Sequence, residues 1–467
     1  MASPVPRFSV LLSKYFAVIS VACLTAIANL VAMFTTLWGS GLIDMIQQGA
    51  GPPWMLIAPM LLLLVLFSFF FSAVLLALTS YARSFKEAQA YLIPVMLMSL
   101  APAMISLVPG IELRGVLVVV PLVNIVLLAR DLLAGELVMQ AAAVSVSVTI
   151  LYACGALAVA ARLFGGDAVM RSSEQSIISL IRRPDKGNVV PRLEQATLLL
   201  ALLVPSYFVV SNGLMLILRS YGELLDVSYQ LLLNATALVV TFGVLPLISV
   251  WWERCRIAKS FRVSPTSLGA LLGSLLLGLG CWAFAHEAFV IADALGIGGL
   301  SENQVQTAEA MVEKMREAPL WLLLAVFAVT PAMVEELCFR GYFFASLGAV
   351  VKPWSAVIVT AIAFGLFHVL TGNALLVERF VPSTLMGIVI GWVAYRTGSV
   401  LPGMLIHFVH NALLNVVIYY ADRLSFLGDG FDDQTHLPLG WLLTAGICVF
   451  IGGACVHWST RSAPKTD

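Results

Sequence analysis

The apolar run 320–351 is long enough to cross a lipid bilayer, yet it carries three charged side chains near its middle. Glu335 and Glu336 are adjacent, and Arg340 follows four residues after the second of them. A charge at the centre of a bilayer costs about 2.5–3.5 kcal/mol on insertion scales. These three groups must therefore face a polar cavity, one another, or neighbouring helices.

Helical spacing separates the two glutamates. Glu336 and Arg340 are four residues apart, so they share a helix face and can pair. Glu335 points about 100° away from Glu336. Because one arginine cannot neutralise both carboxylates, the spacing predicts a paired Glu336 and a Glu335 that is left for chemistry. The alternative is a purely structural ion pair buried between helices, since buried charges are normally paired.

The composition of the whole chain indicates a membrane protein. Of its 467 residues, 60% are hydrophobic and 11% are charged, against about 25% charged in soluble domains. The 26 basic and 26 acidic side chains balance, so nothing indicates a nucleic-acid partner. The seven cysteines include no C-x-x-C pair, which speaks against a disulfide framework or a thiolate metal site. We expect no cleavable signal peptide, because the first apolar run is too long.

Hydropathy predicts an all-α polytopic protein with about twelve transmembrane helices and a re-entrant hairpin. The spans are expected near 15–38, 54–79, 91–109, 136–164, 196–218, 229–252, 268–291, 320–350, 354–370, 383–396, 401–421 and 438–458. The segment 110–135 is interrupted by Pro121 and Asn124. The basic loops fall on one side of the membrane only if this segment enters and leaves from the same face. It is therefore predicted to be a re-entrant or interfacial hairpin, which places both termini in the cytoplasm.

One long polar stretch divides the early spans from the late ones. It predicts a membrane domain at 1–165, a cytoplasmic linker at 166–195, and a second membrane domain with eight spans at 196–460.

Polar residues recur at helical spacing in the last eight spans. Phe364 and His368 are four apart near the outer end of one span, and His407 and Asn411 are four apart in another. A glutamate such as Glu335 and a histidine form a general-base pair for water. An apposed histidine and asparagine can donate hydrogen bonds to an oxyanion. Together these residue types suit peptide hydrolysis inside the membrane.

Other uses of the same residues stay open. Glu335, His368 and His407 also suit a divalent metal such as zinc, although no H-E-x-x-H motif demands one and no cofactor is required. Each histidine taken alone also fits an ordinary hydrogen bond between membrane helices. His410 is expected to serve packing, and the pair 286–287 is expected to be solvated near the interface.

These residues resemble the family of CAAX prenyl proteases and bacteriocin-processing proteins, which are intramembrane proteases. Three motifs occur in order: E-E-x-x-x-R at Glu335, Glu336 and Arg340, F-x-x-x-H at Phe364 and His368, and H-x-x-x-N at His407 and Asn411. The resemblance covers about 196–458 and implies an eight-helix core without a tightly bound metal. It implies that Glu335 and His368 activate water. It further implies that His407 and Asn411 stabilise the oxyanion, while the remaining motif residues organise the site.

The front part of the chain resembles the membrane subunit of ABC exporters of the sodium-extrusion kind. The likeness lies in 80–92, 109–112 and 121–133, and covers about 10–165. It implies a re-entrant hairpin after the third span. The chain contains no G-x-x-x-x-G-K-[ST] motif, so transport would require a partner ATPase subunit.

We therefore expect a multi-pass protein of the inner membrane whose partners are the lipid bilayer and a membrane-embedded peptide or protein substrate. The favoured function is an intramembrane endopeptidase fused to a partial permease. Two other functions are open. One is the membrane subunit of an ABC exporter with a non-catalytic protease-like half, and the other is a peptide-binding or immunity protein.

Overall fold

The computed structural model is helical throughout the part of the chain that it describes, which contains no strand. The described residues are 7–39, 54–82, six single positions between 87 and 99, 101–106, 111–165, 183, 187–220, 226–294, 310, 312–371, 379–420 and 436–460. Within them, ten helices are long and apolar enough to cross a membrane. The predicted fold class, an all-α polytopic membrane protein, is confirmed.

Of the twelve expected spans, ten are among these candidates, and an eleventh is only partly covered by the described residues. Most of the expected span 91–109 lies outside them, and its described part includes the short helix Ala101–Ser106. The expected span 383–396 does fold as a helix, Phe380–Thr397. With its 18 residues it is among the shortest of the long helices and carries Arg396 in its last turn, and it is not one of the ten candidates. Its polar residues, Arg396 among them, lower its mean hydropathy.

The chain divides into two compact units. The first comprises Met1–Arg182 with Thr197–Phe208, and the second comprises Arg183–Ala196 with Val209–Asp467. Most of the predicted linker, 166–195, lies outside the described residues. The assignment of separate functions to the two parts stays a prediction.

The first unit contains the segment that was predicted to be a hairpin. The helices of this part are Arg7–Gly39, Trp54–Tyr81, Ala101–Ser106, Val123–Ala134 and Met139–Gly165, with a 3₁₀ turn at Gly115–Val119. Asn124 is fully buried, and its Nδ2 donates to Ser145 O at 3.2 Å and to Thr149 Oγ1 at 3.1 Å. Its Oδ1 accepts from Ile125 N at 2.9 Å. These bonds anchor the short segment on helix Met139–Gly165. Its re-entrant course through the membrane stays a prediction.

The second unit holds the residues of the predicted site. Its long helices are Leu193–Ser220 (in part), Val227–Trp252, Leu268–Ala294, Leu320–Gly348, Pro353–Thr371, Phe380–Thr397, Leu401–Tyr419 and Leu439–Ser459, with a short turn of helix at Ile257–Ser260. Three of these helices carry site residues, and they are named here for them. Leu320–Gly348 is the glutamate helix, Pro353–Thr371 is the His368 helix, and Leu401–Tyr419 is the His407 helix.

The glutamate helix is not a regular α-helix. Two π-helical turns, Ala325–Val329 and Leu337–Phe343, flank the α-helical segment Thr330–Glu336. A π turn holds an extra residue per turn, and such turns are frequent at functional sites. The two glutamates therefore end a short α-helical segment between two irregular ones.

Two glycines let neighbouring backbones approach this helix closely. A Cβ on Gly341 would lie 2.9 Å from the carbonyl oxygen of Phe261. A Cβ on Gly387 would lie 3.0 Å from Ala361 and 3.1 Å from Arg340 Nη2. Helix Phe380–Thr397 can approach the buried arginine because no side chain occupies that space.

Candidate active site

The two adjacent glutamates are both withdrawn from the surface. Glu336 is 0% exposed and Glu335 is 7% exposed. Helical geometry turns the two side chains in different directions. They consequently meet different partners, as the spacing predicted.

Glu336 lies at the centre of a buried charged cluster. Its Oε1 accepts a hydrogen bond from Arg340 Nη1 at 3.1 Å, and both side chains are 0% exposed. The predicted pair is therefore confirmed. The same Oε1 also accepts a bond from His407 Nδ1 at 2.9 Å. Arg340 Nη2 in turn donates to Gly387 O at 3.2 Å, so three helices are joined through one guanidinium–carboxylate pair.

His368 is held by a backbone carbonyl of its own helix. Its Nδ1 lies 2.9 Å from Phe364 O. A carbonyl oxygen can only accept, so Nδ1 carries the hydrogen, and Nε2 of the neutral ring presents a lone pair. This Nε2 lies 3.9 Å from Glu335 Oε2, and the imidazole is 29% exposed.

His407 presents its Nε2 to the same carboxylate oxygen. The distance from His407 Nε2 to Glu335 Oε2 is 4.0 Å. Two imidazoles from two helices thus converge with Glu335 from a third, as the sequence predicted. These distances exceed those of direct hydrogen bonds and suit a small polar molecule that bridges the groups. In the neutral rings all three facing atoms are acceptors, so a molecule between them must donate hydrogen bonds.

The ring of Phe364 contacts three polar side chains of the site: His368, His407 and Arg340. Its ring centroid lies 4.4 Å from that of His368 and 5.8 Å from that of His407. Arg340 Cζ lies 4.3 Å from the same centroid, in the arrangement of a cation–π contact. One aromatic side chain therefore packs against both imidazoles and the buried arginine.

Asn411 lies one turn beyond His407 but contacts a different part of the glutamate helix. Its Nδ2 donates to Phe327 O at 3.0 Å. Phe327 belongs to the first π turn. One of the two amide hydrogens is thus engaged by the backbone, and the second remains for another acceptor. The predicted role of Asn411 at an oxyanion stays a prediction.

The three groups that were considered as metal ligands do not form a ligand set. Among the described residues, no group of three His, Cys, Asp or Glu side chains is arranged to hold a metal ion. The nitrogens of His368 and His407 are 3.9 and 4.0 Å from Glu335 Oε2. The three side chains would have to move closer together to bind zinc.

A second polar contact, outside this site, was not anticipated. Glu287 was expected to be solvated, but its side chain is 15% exposed and its Oε2 accepts from His436 Nδ1 at 2.7 Å. Its Oε1 accepts from Leu437 N at 2.7 Å. The residues are about 150 positions apart, and no sequence pattern indicated the contact. His410 was expected to pack, and its Nδ1 is buried without a hydrogen-bond partner.

The segment that builds this site is similar to a known protein family. Residues 317–413 match the family model described as Type II CAAX prenyl endopeptidase Rce1-like. The matched segment contains both glutamates, the arginine, both histidines and Asn411, and it supports a CAAX-type intramembrane protease at the family level. It covers less than a quarter of the chain. No curated protein and no solved structure matches the chain. The match does not reach 1–165, so the permease resemblance stays a prediction.

Proposed function

We propose that the second unit is an intramembrane endopeptidase that hydrolyses peptide bonds of membrane-associated peptides or proteins. The observation that carries the proposal is the convergence of two imidazole Nε2 atoms on Glu335 Oε2, at 3.9 and 4.0 Å. The family match over 317–413 supports the same reaction class.

The proposed first step is the activation of water by Glu335 and His368. A water molecule between them donates hydrogen bonds to the two acceptors and keeps a lone pair for attack. As its oxygen bonds to the carbonyl carbon of the substrate, Glu335 takes one proton. The C–N bond then breaks, and the proton passes to the departing nitrogen. The products are a carboxylic acid and an amine, so the atoms balance.

The developing oxyanion needs donors, and His407 and Asn411 supply them in this proposal. When His407 is protonated on both nitrogens, Nδ1 donates to Glu336 and Nε2 becomes a donor. The carboxylate of Glu336 offsets the charge of that imidazolium. Asn411 offers the amide hydrogen that Phe327 O does not use. Donors fixed in this way before the reaction are more effective than mobile ones.

The test compares cells that express the chain with cells that express Glu335→Gln. We expect quantitative mass spectrometry of membrane-derived peptides to detect new termini with the unchanged chain. Loss of a general base reduces the rate by roughly 10²–10⁴-fold, so these termini should vanish with Glu335→Gln. Glu313→Gln is the matched control, because Glu313 is exposed outside the site and undergoes the same chemical change.

The alternative functions give different results in this experiment. If Glu335→Gln yields the same new termini as the unchanged chain, the proposed mechanism is wrong. If the unchanged chain produces no new terminus relative to cells that lack it, the peptidase proposal fails in favour of a binding protein or a transport component.

A further inference from the structure

The two ends of the helices in the second unit differ in charge. One end, called the basic end here, lies where Val227–Trp252 finishes and Leu268–Ala294 begins. Eight basic and two acidic described residues lie there: Arg183, Arg192, Arg254, Arg256, Lys259, Arg262, Lys352 and Arg396, with Glu194 and Glu253. At the opposite end four basic residues, Arg219, Lys314, Arg316 and Arg379, accompany five acidic ones, Asp226, Glu287, Asp293, Glu313 and Glu317.

Hydrogen bonds show that the basic residues gather at one end. Arg262 Nη2 donates to Ala394 O at 2.8 Å, and Val400 N donates to Arg262 O at 3.0 Å. Arg396 Nη2 donates to His457 O at 3.0 Å. These bonds bring together the start of Leu268–Ala294 and the ends of two later helices.

Other contacts define the opposite end. Arg316 Nη2, just before the glutamate helix, donates to Ile418 O near the end of the His407 helix at 3.0 Å. Glu287 binds Leu437 just before the helix Leu439–Ser459. Basic residues accumulate in the cytoplasmic loops of membrane proteins. The basic end therefore faces the cytoplasm, and the opposite end faces outward.

Of the three groups that converge, the most exposed is His368, which lies toward the outward end of its helix. His368 is three residues before Thr371, where its helix ends, or about 5 Å along the axis. It is fifteen residues, about 22 Å, from Pro353 at the basic end. Its side chain is 29% exposed, against 9% for Glu335 and 6% for His407.

On the side of the basic end, protein fills the space beneath the site. Arg340 and Tyr342 follow the glutamates in that direction and are fully buried. Phe343 is 5% exposed, and Ile390 and Ile406 on two other helices are at most 1% exposed. Among the described residues, this side of the site is therefore closely packed.

We propose that this site is entered from the extracytoplasmic end, beside His368. The substrates are then peptide segments in the outer half of the membrane or at its outer surface. This inference rests on the proposed function only in treating the entering peptide as a substrate. The orientation and the opening of the site can be measured without any cleavage.

The test uses single added cysteines and a membrane-impermeant maleimide. Thr371→Cys reports the site entrance, Asp226→Cys reports the outward end, and Lys259→Cys reports the basic end. Each variant is labelled in spheroplasts and in inverted membrane vesicles. The unchanged chain, treated identically, measures the label on its own seven cysteines.

We expect Thr371→Cys and Asp226→Cys to be labelled several-fold more in spheroplasts than in vesicles. Lys259→Cys should show the reverse. Labelling of Thr371→Cys in vesicles alone overturns the proposal, and so does its absence from both preparations while Asp226→Cys reacts. Either result leaves the peptidase proposal standing, because neither measurement depends on activity. Conversely, the loss of cleavage in the Glu335→Gln experiment has no bearing on the labelling pattern.

Discussion

His407 Nδ1 lies 2.9 Å from Glu336 Oε1, so the second glutamate of the pair orients an imidazole of the site. The same oxygen accepts from Arg340. Glu336 is therefore both the counter-ion of a buried arginine and the group that fixes which nitrogen of His407 faces Glu335. The two adjacent carboxylates have different tasks because helical geometry gives them different neighbours.

This relationship predicts that the two glutamates differ in their effect on stability. Glu336→Gln leaves the fully buried Arg340 without its charged partner, and breaking a buried pair in this way costs about 3–5 kcal/mol. Glu335→Gln leaves that pair intact and should keep the free energy of unfolding close to that of the unchanged chain. Denaturant unfolding of the purified proteins in detergent measures both. Equal losses in the two variants would show that Glu336 has no special structural task.

The aromatic ring of Phe364 gives a second prediction. Phe364→Leu keeps an apolar side chain but removes the ring that packs against His368, His407 and Arg340. Most single substitutions cost about 0.5–3 kcal/mol of stability, and we expect this one to lie in that range. We expect cleavage, followed by the yield of new peptide termini, to fall by a much larger factor. Phe343→Leu is the control, since that buried ring packs against Phe339 and Tyr342.

A Phe343→Leu variant that loses as much cleavage as Phe364→Leu would contradict the specific task of Phe364. The comparison separates general packing from the positioning of the imidazoles, because both changes replace one buried ring with the same side chain.

The sequence predicted most of this site because charged and imidazole groups are expensive in a bilayer. Glu335, His368 and His407 could hardly lie in apolar spans without one another, and they do converge. The pair of Glu336 and Arg340 followed from their spacing alone. The spacing of Glu336 and Arg340 is a local feature, and the cost of a charge in a bilayer depends only on residue type. Spacing and residue type can both be read from a sequence.

Other features depended on contacts between distant parts of the chain. The bond from His407 to Glu336 joins residues 71 positions apart, and the bond from Asn411 to Phe327 ends on a backbone carbonyl in a π turn. No pattern of side chains marks a π turn. The expected span 383–396 does form a helix, Phe380–Thr397, but its hydropathy is borderline, and hydropathy alone does not decide whether such a helix crosses a membrane.

Close packing at Gly387 gives a third prediction. Gly387→Ala would place a methyl group 3.0 Å from Ala361 and 3.1 Å from Arg340 Nη2. Overpacking of this kind costs about 1–3 kcal/mol, and here it also pushes on the guanidinium that holds Glu336. We expect a lower melting temperature and less cleavage. Gly453→Ala is the matched control, because nothing lies within 4 Å of its Cβ position. It should stabilise its helix slightly or leave it unchanged.

The last prediction concerns Asn411, whose amide can act on the backbone, on the substrate, or on both. Asn411→Ala removes the bond to Phe327 O, and one hydrogen bond contributes about 1 kcal/mol to stability. Loss of an oxyanion donor reduces turnover by about 10²–10³-fold. We therefore expect a small change in unfolding free energy and a large loss of cleavage. Asn415→Ala is the control, since Asn415 lies one turn along the same helix and donates to Asn411 O at 2.8 Å. If both variants lose equal amounts of stability and cleavage, Asn411 serves the fold alone, and His407 is left as the donor to the oxyanion.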